Sequence, residues 1–131
     1  MTKPQRPGFT LIELLMVLVI IAILATMGVN RFWKVKDQGL VSSMAHDLRN
    51  LATAQENYFA ANYTYAAAPT DLVDYRQSPG VVITITAVQQ DGWAGNATHV
   101  SLAGRQCGIF TGNAPAAQGA PATVNGIIEC N

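Results

Sequence analysis

One carboxylate stands where carboxylates are rare. Glu13 is the single charged residue between Phe9 and Val29, a run of 21 residues. A charged side chain at the centre of a membrane-spanning helix costs about 2.5–3.5 kcal/mol on insertion scales. An acid in such a run therefore needs a compensating cation. The chain offers one if it is cut after Gly8, because the nitrogen of Phe9 then becomes an ammonium group. The chemistry open to Glu13 is ion pairing with such a terminus. In a low-dielectric surrounding a paired charge is far better placed than an isolated one, and a slip in axial register leaves both unpaired.

The other residues able to do chemistry are few. Cys107 and Cys130 are the two cysteines, an even count that in an exported domain favours a disulfide, the alternative being two buried thiols. His46 and His99 lie in a helical and an extended stretch without neighbours at metal-ligand spacing, so both read as surface or satisfied core histidines. Asp71, Asp74 and Asp91 could contribute to a calcium site, but their spacing is not that of an EF-hand. Asn62-Tyr63-Thr64 and Asn96-Ala97-Thr98 match the three-residue glycosylation sequon, a weak signal. The sequence carries no glycine-rich phosphate loop, no G-x-S-x-G and no zinc-hydrolase pair. No enzyme is expected, and no cofactor or metal.

The element that positions Glu13 is the apolar run itself. At about 1.5 Å per residue it reaches roughly 32 Å, enough for a hydrocarbon core of about 30 Å. Residues 1–8 are polar, carry Lys3 and Arg6, and contain Pro4 and Pro7, which keep them out of the helix that follows. A secretory signal would be cut beyond its apolar part at small residues spaced A-x-A. Here neither Ala22-Ile23-Leu24 nor Ala25-Thr26-Met27 fits, and the small residue Gly8 precedes the run. Cutting there keeps the apolar segment on the mature chain. Basic residues flank the run on both sides: Lys3 and Arg6 before it, Arg31, Lys34 and Lys36 after it. By the positive-inside count alone the longer side would face the cytoplasm. Phe32 and Trp33 follow the span, where aromatics favour either the membrane–water interface or subunit packing.

Beyond the span the helix is expected to continue, because no proline occurs between Pro7 and Pro69. Met44, Leu48, Leu51, Ala54 and Tyr58 recur at three- and four-residue steps, with Leu40, Ala45, Ala52 and Phe59 widening the stripe. Ser42, Ser43, His46, Asp47, Asn50, Thr53, Glu56 and Asn57 form the expected solvated face. One helix from about Thr10 to Ala61 follows, with Gly28, Asn30 and Gly39 as its soft points. Asn62 to Pro79 reads as an irregular connection, with Tyr58, Phe59, Tyr63 and Tyr65 filling the helix–sheet interface. Val81 to Val88 is a strand with Val81, Ile83, Ile85 and Ala87 on one face. Gln90-Asp91-Gly92 is a hairpin turn. Trp93–Leu102 is a second strand and Gln106–Phe110 a third, separated by a turn at Gly104. Thr111 to Ala122 reads as an exposed loop, with Ile127 and Ile128 as buried anchors beyond it. Eight Lys/Arg balance eight Asp/Glu, so no electrostatic footprint for strong nucleic-acid binding is present.

Residues 8–24, G-F-T-L-I-E-L-L-M-V-L-V-I-I-A-I-L, closely resemble the amino terminus of type IV prepilins and pseudopilins. The resemblance implies an α+β type IV pilin fold, a long amino-terminal helix packed on a small antiparallel sheet, with a Cys107–Cys130 cystine closing a carboxyl-terminal loop. It implies cleavage between Gly8 and Phe9 by a prepilin peptidase, N-methylation of Phe9, and an assembly role for Glu13 with Phe9. The expected divisions are a leader (1–8), a transmembrane and filament-core half-helix (9–29), an amphipathic half-helix (30–61) and a carboxyl-terminal region (62–131). The implied partners are the inner membrane before assembly, the pilus assembly machinery, and identical subunits in a helical surface filament. That filament would serve adhesion, motility or DNA uptake. The resemblance places the leader in the cytoplasm and the remaining domain in the periplasm, later on the extracellular filament, against the positive-inside count. A pseudopilin of a type II secretion system is the alternative within the class. A single-pass anchored periplasmic binding module is the alternative outside it. Asn30 departs from the family, in which proline is common at that position.

Overall fold

The structure, a computed structural model, describes residues 8–131. The expected leader, residues 1–8, lies outside the described residues apart from Gly8. Helix α1 runs from Leu11 to Asn62. Four strands follow: β1 Val81–Gln89, β2 Gly92–His99, β3 Leu102–Phe110 and β4 Glu129–Cys130. Short 3-10 turns occur at Pro69–Asp71 and Ala116–Gly119. Contacts divide the chain into two compact units, Met1–Lys36 and Asp37–Asn131.

In the first unit the apolar face is every face. Leu11, Ile12, Leu14 and the residues onward to Val29 stand open, with Leu18 59% and Met27 71% exposed. A helix apolar all round is stable only where lipid or other apolar helices surround it.

The second unit is a helix on a sheet. Strands β1 to β4 form one antiparallel sheet in chain order. Met44, Leu48 and Leu51 of α1 are fully buried and meet Val81, Ile83, Trp93, Ala97, Cys107 and Ile109 from the sheet, with Ala66, Leu72 and Tyr75 from the connection. The expected helical stripe is thus the core stripe. One residue of the polar set departs from expectation: Asp47 is buried, 1% exposed, because it faces the connection between helix and sheet rather than solvent.

Strand β1 holds a second departure. Its pairing with β2 shifts between Ile85 and Ala87, which leaves Thr86 as an extra residue. A bulge of this kind reverses the alternation of faces beyond it. Ile85 packs with the main core, but Ala87 joins Ala94, Phe110, Ala114 and Ala122 on the opposite side. Residues 111–122 accordingly do not hang free as an exposed loop. Ala114, Gly119 and Ala122 are buried against the back of the sheet, and the Thr86 hydroxyl donates to the Gln118 carbonyl at 2.5 Å. A Cβ at Gly108 would collide with the backbone of Gly119 and Ala120, so glycine there permits the close approach.

The β2–β3 hairpin also turns earlier than its glycine suggested. The chain reverses at Val100-Ser101, and His99 pairs with Leu102 while Thr98 pairs with Gln106. Gly104 lies in the intervening bulge at φ +75. Ile128 packs partly on the core, whereas Ile127 is 52% exposed rather than buried. Of the four interface aromatics, Phe59 and Tyr65 stack at 4.7 Å between centroids, and Tyr58 packs against the core edge. Tyr63 points away, 83% exposed. Tyr75 is the buried tyrosine instead.

Candidate functional site

The amino-terminal site is built on the entry to α1. Gly8, Phe9 and Thr10 precede the helix without regular structure, and all three are exposed. Phe9 is 83% exposed, and a side chain at Gly8 would meet nothing within 4 Å. The peptide between them is therefore open to a processing enzyme on all the sides that the described residues supply.

Thr10 starts the helix. Its hydroxyl accepts the Glu13 backbone N–H at 3.3 Å, and its carbonyl accepts the Leu14 N–H at 3.3 Å. Glu13 Oε2 in turn accepts the Thr10 backbone N–H at 2.9 Å and the Thr10 hydroxyl at 2.7 Å. This reciprocal arrangement is a capping box, in which the first and fourth residues satisfy each other's orphan donors. The T-x-x-E spacing carries that signal in the sequence, and ion pairing of Glu13 makes no use of it.

Glu13 thus has two donors within its own chain and sits at the positive end of the helix dipole. Both bonds fall on Oε2, and an ionised carboxylate has about four acceptor positions. Capacity remains for an incoming ammonium. Capping and inter-subunit pairing are thus compatible in one side chain.

Cys107 and Cys130 form a disulfide and stand directly opposite each other across β3 and β4. Cys107 is buried in the core beneath α1, whereas Cys130 is exposed. The bond ties the last strand, two residues long, to the sheet. Asn131 N–H donates to the Gln106 carbonyl, and Gln106 N–H to Asn131 Oδ1, which extends the tie. Thr123 donates its backbone N–H and its hydroxyl to Glu129 Oε2. Those bonds hold the Glu129 carboxyl below the usual carboxylate range.

Two buried polar side chains on α1 fix the connection to the sheet. Gln55 is fully buried; its Nε2 donates to the Ala66 carbonyl at 2.9 Å and its Oε1 accepts the Ala66 N–H at 2.8 Å. Asp47 accepts the Ser78 N–H at 2.7 Å and the Ser78 hydroxyl at 2.8 Å. Tyr75 donates to the Asp47 carbonyl at 3.3 Å. Burial, and then the Asp47 charge, push the Tyr75 phenol well above its ordinary value. Sequence reasoning missed both clamps. A glutamine inside a helical apolar stripe was the available sign for Gln55, and Asp47 gave none.

The remaining candidates do not converge. Asp71 Oδ2 accepts the Ala68 N–H and Asp91 Oδ2 accepts an Asn113 amide hydrogen. Among the described residues no three His, Cys, Asp or Glu gather to hold a metal ion. His46 bonds the Asn50 amide at 3.1 Å and His99 accepts the Ser101 N–H at 3.1 Å.

Comparison with known proteins gives one family match and two curated relatives. Residues 3–29 match the family described as the prokaryotic N-terminal methylation motif. The chain is similar to the type IV major pilin protein PilA of Myxococcus xanthus, 38% identical over 64 residues, 49% of this chain and 29% of the relative. It is also similar to the type II secretion system core protein G of Pseudomonas aeruginosa, 35% identical over 72 residues, 55% of this chain and 51% of the relative. The chain thus spans less than two thirds of the length of either curated relative it matches.

Proposed function

We propose that this chain is a structural subunit of a type IV pilus, matured by a prepilin peptidase and polymerised through α1. The observation that carries the reading is an apolar helix with no cover of its own, opened by an exposed Gly8–Phe9 peptide and bearing one acid in its first turn. The methylation-motif match and the likeness to a major pilin support it. The apolar helix and these relatives fit membrane anchoring.

In this reading hydrolysis of the Gly8–Phe9 amide releases residues 1–8, and the new Phe9 nitrogen is methylated. The apolar half of α1 holds the subunit in the inner membrane, with Asp37–Asn131 on the periplasmic side. An oxidising compartment of that kind sustains a cystine. On assembly the helix exchanges lipid for sister helices, and Glu13 pairs with the Phe9 ammonium of its neighbour. A buried pair adds little net stability but penalises a wrong register heavily. Extrusion draws its energy from partner machinery.

Mass spectrometry of sheared surface filaments tests the reading. The expected species lacks residues 1–8, carries one methyl group on Phe9 and holds the Cys107–Cys130 bond. An exported chain that retains residues 1–8, or is cut beyond Val29, overturns it. The likeness to a secretion core protein favours a second reading, a pseudopilin of a type II secretion system. That reading expects the same mature terminus but no abundant surface filament. A membrane-anchored periplasmic binding module expects no peptidase cleavage at Gly8.

A further inference from the structure

We infer that the segment Arg31–Lys36 of α1 is a lipid-reading collar that binds the headgroup layer of an anionic phospholipid bilayer and sets the depth of the span. The inference rests on the membrane-anchored reading above. It adds a partner that the assembly role does not require.

Three observations carry it. The first is charge. Arg31, Lys34 and Lys36 fall within six residues, whereas from Asp37 to Asn131 only three cations face seven carboxylates. Half of the chain's cations outside residues 1–8 thus stand at one level of one helix.

The second is angular distribution. At about 100° per residue, Arg31, Lys34 and Lys36 stand near 0°, 300° and 140° around the helix, and Phe32 and Trp33 near 100° and 200°. A protein partner approaches a helix from one side; a headgroup layer surrounds it. Cations and aromatics on every side fit the second.

The third is continuity. The collar begins two residues after the apolar run ends at Val29. Its aromatics are exposed, Phe32 66% and Trp33 54%. The Phe32 and Trp33 rings meet edge to face at 6.0 Å, and Lys36 Nζ lies 5.1 Å from the Trp33 ring centroid. Amphipathic rings beside cations suit the boundary between acyl chains and phosphates.

The consequence is a depth gauge. Glu13 lies 18 residues before Arg31, about 27 Å along the axis. A hydrocarbon core is about 30 Å thick. With the collar in one headgroup layer, Glu13 and its Thr10 cap come to rest at the edge of the opposite layer rather than mid-bilayer. The Gly8–Phe9 peptide then emerges at that surface.

The test uses the full chain in vesicles of phosphatidylcholine and phosphatidylglycerol, with either lipid brominated to quench Trp33. Subtraction of a Trp33→Phe protein removes the signal of Trp93, which is fully buried. Each cation near an anionic surface adds about fivefold to binding, so with Asp37 offsetting one of the three, phosphatidylglycerol should be preferred roughly 25-fold at low salt. The preference should fall toward unity in about 0.5 M salt and in the variant Arg31→Gln, Lys34→Gln, Lys36→Gln. It should persist in Lys34→Arg, Lys36→Arg. An absent preference, or one unchanged in the triple glutamine variant, overturns the collar while leaving the anchor intact. So does competition by inorganic phosphate at matched ionic strength, which marks a free-phosphate site. Loss of subunit association in the triple variant with lipid preference unaltered also overturns it, and assigns the cations to an acidic second copy. Failure of the wild-type chain to insert into either vesicle sinks the anchored reading and the collar together.

Discussion

Asp47 and Ser78 are joined by two hydrogen bonds, Oδ2 to the serine N–H at 2.7 Å and Oδ1 to its hydroxyl at 2.8 Å. They lie 31 residues apart in sequence, one on α1 and one just before β1. The pair fixes where the chain leaving the connection enters the sheet.

Asp47→Ala should therefore destabilise the unit Asp37–Asn131 by about 2–4 kcal/mol, since it leaves the Ser78 N–H without its charged acceptor. Ser78→Ala, which keeps the backbone bond, should cost about 1 kcal/mol. Chemical denaturation followed by tryptophan emission from the buried Trp93 measures both. Equal losses for the two variants would count against the clamp.

Thr10 and Glu13 allow cap and charge to be separated. Glu13→Gln keeps an acceptor for the Thr10 N–H but removes the anion, whereas Thr10→Ala keeps the anion and removes the hydroxyl half of the cap. The expectation is that Glu13→Gln is inserted and processed yet yields few sheared filaments, as should Glu13→Ala and Glu13→Val. Thr10→Ala should assemble much better and lose only about 1 kcal/mol of helix stability. Normal filament yield from all three Glu13 variants would refute the pairing role.

The cystine makes an asymmetric prediction. Either Cys107→Ser or Cys130→Ser should cost about 3 kcal/mol by loop entropy for a separation of 23 residues. Cys107 is buried in the core and Cys130 is exposed, so Cys107→Ser should lose about 1 kcal/mol more by burying a hydroxyl. Thermal unfolding under non-reducing conditions gives the comparison.

Alkali should weaken the second unit through Tyr75. Its folded pKa lies above the ordinary 10.0, so on raising pH the unfolded chain loses the phenolic proton first. The stability contributed by neutral Tyr75 is complete below pH 10 and is lost as pH climbs through the folded value. Phenolate absorbance should show a late ionisation step, and Tyr75→Phe should remove it. In acid the sign reverses for Glu129. Its lowered pKa gives stability above the ordinary 4.5 that is lost as pH falls through the folded value. Protection of the Thr123 amide, after correction for the intrinsic pH dependence of exchange, should fall there in wild type but not in Glu129→Gln.

Much of this architecture was legible because it rests on local periodicity. Met44, Leu48 and Leu51 announced the buried stripe, Val81 to Val88 the first strand, and Gln90-Asp91-Gly92 the turn, of which Gln90 and Asp91 are the turn residues and Gly92 opens β2. Gly8, Phe9 and Glu13 announced the candidate site by type and order, since a lone acid in an otherwise uncharged run calls for a partner once other apolar helices surround it. The Thr10–Glu13 cap was equally local, and sequence reasoning missed it although the T-x-x-E spacing carried its signal. Ala87 misled because alternation assumes an unbroken strand, and one extra residue at Thr86 reverses every face beyond it. Ile127 misled because apolarity alone does not say which of two adjacent isoleucines turns to the core.

The sequence alone determined that this chain carries an uncovered apolar helix, a single acid in its first turn, and a cysteine pair able to close its end. Those properties follow from composition and short-range spacing, which covalent geometry translates directly into faces and lengths. Only the tertiary structure decided that Asp47 and Gln55 turn inward, that residues 111–122 lie against the sheet, and that Tyr75 rather than Tyr63 is buried. Each of the first two depends on a partner distant in sequence: Ser78 for Asp47, Ala66 for Gln55, Gly108 for Gly119. A buried polar group is tolerated only when such a partner arrives, and no short window along the chain contains both.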